Sequence, residues 1–135
     1  MIPVRSLPLA AASITESGIL SDSFPGVSSI DAIATADGGV RLVIGEQRPT
    51  PMTERVGDRE FRVDDTGFWQ VHHGAPAVLT EAVQQAIDPD RFDPAAENLD
   101  LYGGVGLLAA AVADRFGPST KIVSVESDAR AVDHA

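Results

Sequence analysis

Apolar and polar positions alternate along the first half of the chain, and helical periodicity takes over in the second. Residues 30–36 (IDAIATA) alternate, Asp37-Gly38-Gly39 tolerates positive φ, and residues 40–44 (VRLVI) alternate again, which predicts a hairpin. A weaker pair follows: residues 52–56, a Gly57-Asp58 turn, then residues 59–63. Pro49 and Pro51 separate the two hairpins and cannot sit in a central strand. Residues 1–66 therefore read as β-rich and irregular, without repeats or low-complexity tracts.

Beyond Thr66 the texture changes. Residues 76–87 (PAVLTEAVQQAI) place Val78, Leu79, Ala82, Val83 and Ile87 on one helical face, with Pro76 in the first turn and Pro89 beyond the end. Residues 98–102 form a short apolar strand that runs into glycines. Residues 105–116 (VGLLAAAVADRF) predict a second helix, stopped by Gly117-Pro118. Residues 121–125 (KIVSV) predict another buried strand, ending at Glu126, and a further helix begins at Asp128. Strand, glycine turn, helix and strand make a right-handed βαβ unit. Two parallel strands covered on one side cannot bury both faces, so a piece of a larger sheet is expected.

Composition narrows the function classes. The length of 135 residues suits one ordinary domain, and 44% hydrophobic content suits a folded chain. No apolar run approaches the roughly 18 residues that span a bilayer, and residues 1–12 make a poor secretory leader. With no cysteine there is no disulfide framework, thiolate metal site or Cys nucleophile. A cytoplasmic protein without a membrane partner is expected; the oligomeric state is not legible. The net charge of −10 is spread along the chain, with six Arg against ten acids in residues 1–75 and four basic residues against ten acids in residues 76–135. Such a surface repels a phosphate backbone, so this chain alone should bind RNA weakly or not at all.

The chemistry sits in Leu99-Asp100-Leu101-Tyr102-Gly103-Gly104-Val105-Gly106. Glycines between strand and helix permit a tight turn and close approach of a ligand, and the helix start behind them offers free amides. Glu126 ends the next strand, where a Rossmann-type site places an acid for ribose hydroxyls. Two cofactor readings compete. Gly104-Val105-Gly106-Leu107-Leu108-Ala109 satisfies the dinucleotide pattern of NAD(P) and FAD enzymes. Asp100 weighs against it, because a carboxylate before the turn repels pyrophosphate but suits the cationic aminoacyl end of S-adenosylmethionine. A bare tight turn is the structural alternative to both.

Three motifs in order, Phe68-Trp69-Gln70-Val71-His72, the Asp100–Gly106 loop and Val125-Glu126, resemble those of the RNA uracil-5 methyltransferases. The resemblance covers residues 61–135. It implies an α/β chain: a β-rich N-terminal region (1–66), then the first βαβ unit of an incomplete Rossmann-like class I methyltransferase domain (67–135). It also implies S-adenosylmethionine as cofactor, with contacts from Gln70, Tyr102 and Glu126 and the glycine loop (Gly103, Gly104, Gly106) under the methionine moiety. Asp100 would stand at its entrance, and rRNA or tRNA would be the substrate of the full-length protein.

The departures are His72 for a common Asn, Gly103 for a common Cys, and Leu107 where several members use a cofactor-contacting Asn. The family's catalytic cysteine, general base and a further cofactor-binding Asp belong to a C-terminal half, and its RNA-binding barrel and iron–sulfur cysteines to an upstream segment. This chain contains neither, so it reads as an inactive fragment. A nicotinamide or flavin oxidoreductase fragment and a non-catalytic binding module stay open. Among single residues, Phe68 and Trp69 are expected to pack, Asp64-Asp65 to form a solvated turn, and His72-His73 to be structural rather than metal-binding.

Overall fold

The computed structural model describes residues 4–135; the first three positions of the stretch unlike a leader lie outside it. The elements are α1 (Ala12–Glu16), β1 (Ile30–Ala34), β2 (Val40–Ile44), β3 (Pro51–Val56), β4 (Arg59–Asp64), α2 (Ala75–Ala86), β5 (Asn98–Leu101), α3 (Leu107–Phe116), β6 (Ile122–Val125) and α4 (Ala129–His134). The fold is α/β. Its strands form three two-stranded sheets: β1–β2 and β3–β4 are antiparallel, and β5–β6 is parallel with α3 as the crossover.

Both expected hairpins form, with small shifts that have local causes. The first strand stops at Ala34 rather than residue 36, because Thr35 and Asp37 build the turn. Asp37 Oδ1 accepts the Gly39 N–H at 3.1 Å and the Thr35 hydroxyl, and Gly38 takes φ 86°. Pro51 stands inside a strand, as the first residue of β3; in a two-stranded sheet every strand is an edge, so its missing N–H removes no ladder bond that a neighbour needs. Helix α1 and the 3-10 turn at Ile19–Ser21 interrupt a region that alternation alone marks as strand and loop, and neither buries a residue.

Helix α2 forms where periodicity places it and carries Pro76 in its first turn, but its buried side differs from the expected stripe. Pro76 is buried, and Thr80, Val83, Gln84 and Ile87 are half-buried, whereas Val78, Leu79 and Ala82 face outward. Contacts with α3 decide the rotation. The Gln84 side-chain amide donates to the Ala111 carbonyl at 2.9 Å, and Arg115 donates to the Ile87 carbonyl at 2.8 Å. Ala111 is itself buried, and its small side chain lets the two helices approach closely.

The core is thin. Val43, Phe61 and Val63 fill it under the hairpins, and Leu107 and Ala111 fill it under α3. Trp69 leans on Phe61 with ring centroids 5.6 Å apart, and Phe92 meets Phe116 at 4.2 Å. One face of the parallel pair lies open: Leu99, Leu101, Val123 and Val125 keep 45–61% of their surface. The accessible surface totals 9579 Å², whereas size scaling gives a compact monomer of this mass roughly 6,700 Å². No helix of the described residues is long and apolar enough to cross a membrane.

Phe61→Ala is expected to cost about 3 kcal/mol, since it removes a buried ring and the partner of Trp69. Phe68→Ala, on an exposed side chain, should stay within about 0.5 kcal/mol. Denaturant unfolding followed by Trp69 fluorescence checks both; equal costs would contradict this view of the core.

Candidate functional site

The chain leaves β5 through a turn that only small residues and one strained residue can make. Tyr102 takes φ 59°, rare for a residue with a Cβ, and Gly104 and Gly106 take φ 55° and 86°. The Tyr102 and Gly103 amides both donate to the Val125 carbonyl, at 2.8 and 3.2 Å, and the Gly106 amide donates to the Gly103 carbonyl at 2.9 Å. The first two bonds tie the loop to the end of β6, and Tyr102 stands 89% exposed. Gly103 has a different cause. A Cβ there would lie 2.0 Å from Ser124 Oγ and 3.1 Å from Asp100 Oδ2. Ser124 and Asp100 already occupy the space into which any side chain at position 103 would project.

Two carboxylates of opposite character flank the loop. Glu126 Oε1 accepts the backbone N–H groups of Ser127 (2.6 Å) and Asp128 (2.8 Å), and Oε2 accepts the Gly104 N–H at 2.8 Å. The Asp128, Gly104 and Ser127 amides together hold its carboxyl below the ordinary carboxylate value of 4.5. Oε2 accepts one hydrogen bond here and keeps a lone pair for a hydroxyl donor. Asp100 behaves in the opposite way. Burial pushes its carboxyl up from the ordinary 3.8, and the nearby Ala109 amide offsets this only in part. Its Oδ2 is buried without a hydrogen-bond partner. An orphaned carboxylate oxygen beside a glycine cradle suits a cationic or hydrogen-bond-donating group.

A cleft of about 290 Å³ opens beside the loop. Phe68, Tyr102, Val105 and Ala131 supply apolar walls, and Glu126 and His134 supply polar ones. That volume lies at the lower edge of the range for small-ligand sites. Of the cofactor contacts expected from sequence, Tyr102, Gly104 and Glu126 line the cleft, and Asp64 borders it too. Asp100, Gly103 and Gly106 lie outside its lining in the same loop, and half-buried Gln70 stands outside it as well. A cavity of about 350 Å³ between the hairpins touches Arg41 and Arg55, but those cations already pair with Asp65 at 3.4 Å and Glu60 at 2.6 Å.

No family model matches the chain. Among curated proteins it is 35% identical, over 164 aligned positions and 98% of its length, to a protein of Streptomyces avermitilis named as an uncharacterized RNA methyltransferase, of which it spans 37%. A protein of Streptomyces coelicolor with the same description is 35% identical over 98% of this chain and 35% of its own length. A third, from Bifidobacterium longum, is 35% identical over 78% of this chain and 26% of its own. The chain belongs to this family of RNA methyltransferases. It spans little more than a third of the Streptomyces relatives. Among solved structures it resembles the Pyrococcus abyssi tRNA (uracil-54, C5)-methyltransferase in complex with S-adenosyl-L-homocysteine, at 21% identity and TM-score 0.48, over 72% of this chain and 22% of that one.

Two expectations about this segment need correction. Asp64 and Asp65 do not form a solvated turn. The Asp64 side chain is buried and accepts from Arg130 and His134, and Asp65 accepts the Thr50 N–H at 2.9 Å and pairs with Arg41. Phe68 does not pack like Trp69: it stands 82% exposed at the cleft. Leu107, the first residue of α3, is a core residue. His72 Nδ1 accepts the Gly74 N–H at 3.1 Å, and its ring stacks on His73. The basic pair Arg130 and His134, one helical turn apart, was the sequence signal for a buried acid facing α4.

Asp100→Asn should hold or raise the stability of the ligand-free chain near neutral pH. A carboxyl whose folded pKa is raised costs stability once ionised, and that cost vanishes as pH falls below 3.8. A clear drop in Tm at neutral pH would contradict this. Glu126 has the opposite sign. Its depressed pKa contributes stability above pH 4.5 that is lost as pH falls through the lower folded value. The Gly104 amide shift, followed by NMR, should therefore titrate only below pH 4.5.

Proposed function

We propose that this chain supplies the cofactor-binding start of an RNA methyltransferase acting on the 5-position of a uracil, with S-adenosylmethionine as methyl donor. The observation that carries the reading is the orphaned Asp100 carboxylate under a glycine loop whose other side is clamped by Glu126. The relatives' shared description supports the methyltransferase class, and the motif order from Gln70 to Glu126 supports the uracil-5 type.

In this reading residues 1–66 form a β-rich N-terminal region. Residues 67–135 open a Rossmann-like domain whose further strands would cover Leu99, Leu101, Val123 and Val125. The glycine loop (Gly103, Gly104, Gly106) and Asp100 would hold the aminoacyl end of the cofactor, Glu126 Oε2 would accept from ribose, and Gln70 and Tyr102 would border the site. The cofactor, when bound, supplies an electrophilic methyl group on a sulfonium. This chain's residues bind and orient it; having no cysteine, the chain brings no thiolate to the uracil ring. A dinucleotide reading would need pyrophosphate beside the unpaired Asp100, which charge disfavours.

S-adenosylhomocysteine should bind the 135-residue chain, and NAD should not. With part of the pocket wall absent, affinity is expected on the order of high micromolar to millimolar. Glu126→Ala should weaken it further, and Glu126→Gln less so. Calorimetry or ligand-observed NMR with both cofactors in parallel decides; saturation by NAD alone would overturn the assignment. The chain alone should transfer no methyl group to RNA. It should also bind RNA weakly at physiological salt, given its charge of −10. Turnover with labelled cofactor would refute the first expectation, and a submicromolar RNA dissociation constant the second.

A further inference from the structure

The side chain of Asp64, the last residue of β4, is 6% exposed. Its Oδ1 accepts Arg130 Nη2 at 2.8 Å and His134 Nε2 at 3.0 Å, and its Oδ2 accepts Arg130 Nε. Both partners lie on α4, one turn apart, and Arg130 Nη2 also reaches the Pro49 carbonyl at 3.4 Å. The hairpin thus grips α4 by two consecutive turns of one face. The Arg130 bonds and the Arg130 charge hold the Asp64 carboxyl well below the usual carboxylate range, with His134 adding to them.

What α4 carries at its start matters for the loop. Asp128 caps the helix by accepting the Arg130 N–H at 2.9 Å. The two residues before the cap are Glu126 and Ser127, and Glu126 binds the amides of Ser127, Asp128 and Gly104. A continuous set of polar bonds therefore runs from the end of β4, through α4, to the glycine loop. Arg130 is the shared member: its side chain meets Asp64 while its backbone amide meets the cap.

We propose that Asp64 is a positioning residue for the cofactor site, fixing α4 through Arg130 and His134 so that Glu126 is held against the Gly104 amide. The proposal rests on the cofactor reading above; because Asp64 also borders the cleft, the Glu126-bound amides, rather than affinity alone, separate positioning from direct contact. It assigns a task to the β3–β4 hairpin: the N-terminal region sets the geometry of the binding loop.

The test uses the 135-residue chain. Amide proton shifts of Gly104, Ser127 and Asp128 report the Glu126 bonds directly, and S-adenosylhomocysteine affinity reports the site. Asp64→Ala should move all three amides upfield and weaken binding on the order of tenfold. Asp64→Asn, which keeps acceptor oxygen but loses charge, should fall between. Val43→Ala, in the core of the other hairpin, serves as the control for stability alone. It should lower Tm while leaving the three shifts in place and affinity within about twofold.

If Asp64→Ala fails to fold, Asp64→Asn and His134→Gln carry the same readouts at smaller size. Unmoved amides in these variants, or shifts no larger than those of Val43→Ala, overturn the proposal. If the unaltered chain binds no S-adenosylhomocysteine, the cofactor reading fails separately, and the amide shifts still decide whether Asp64 sets the turn.

Discussion

The loop between β5 and α3 and the turn after β6 come together around one carboxylate. A parallel strand pair delivers two chain segments side by side at its carboxyl ends, each with amides that the ladder does not use. Glu126 answers three of those amides with two oxygens, one from the glycine loop and two from its own turn. Each is a charge-assisted bond, stronger than its neutral counterpart. The positive-φ turn at Tyr102 and Gly104 persists because these partners over-determine it. Without such an anchor, three glycines in four positions would leave the loop with many accessible conformations.

Asp64 and Asp100 show how the same residue type is steered to opposite ends by its surroundings. Both carboxylates are withdrawn from water. Asp64 meets a guanidinium and an imidazole, so its ionised form is favoured and joins distant segments. Asp100 meets no donor at Oδ2, so its ionised form is penalised and the site is left one partner short. The first arrangement is a completed structural tie, and the second is an incomplete one. An unsatisfied group in a native fold calls for an explanation, and a ligand that brings the missing donor is one.

The surface tells a parallel story about packing. A two-stranded parallel sheet with a helix on one side covers one face, and its other face shows Leu99, Leu101, Val123 and Val125 to solvent. Together with the outward Val78 and the exposed Phe68, these side chains leave the chain with more surface than its mass requires. Chain pairing and helix formation are satisfied locally, while much apolar area is not. The Streptomyces relatives, of which this chain spans little more than a third, have ample chain to cover such a face.

Local pattern was enough for the sequence alone to determine where most elements lie. Alternation marked both hairpins, 3.6-residue periodicity marked α2, an Ala/Leu-rich run stopped by Gly117-Pro118 marked α3, and the glycines and Glu126 marked the ends of β5 and β6. These signals are legible because period and turn chemistry act within a few residues. Which side of α2 is buried was decided by Gln84 and Ala111 meeting across two helices: of the predicted stripe, Val83 and Ile87 are half-buried, whereas Val78, Leu79 and Ala82 point outward. Asp64 looked like a surface turn because its partners lie 66 and 70 residues further on. Gly103 looked like one more loop glycine until Ser124 was found in the space its side chain would fill. Burial and ion pairing depend on which distant segments the chain brings together, so only the tertiary structure could decide them.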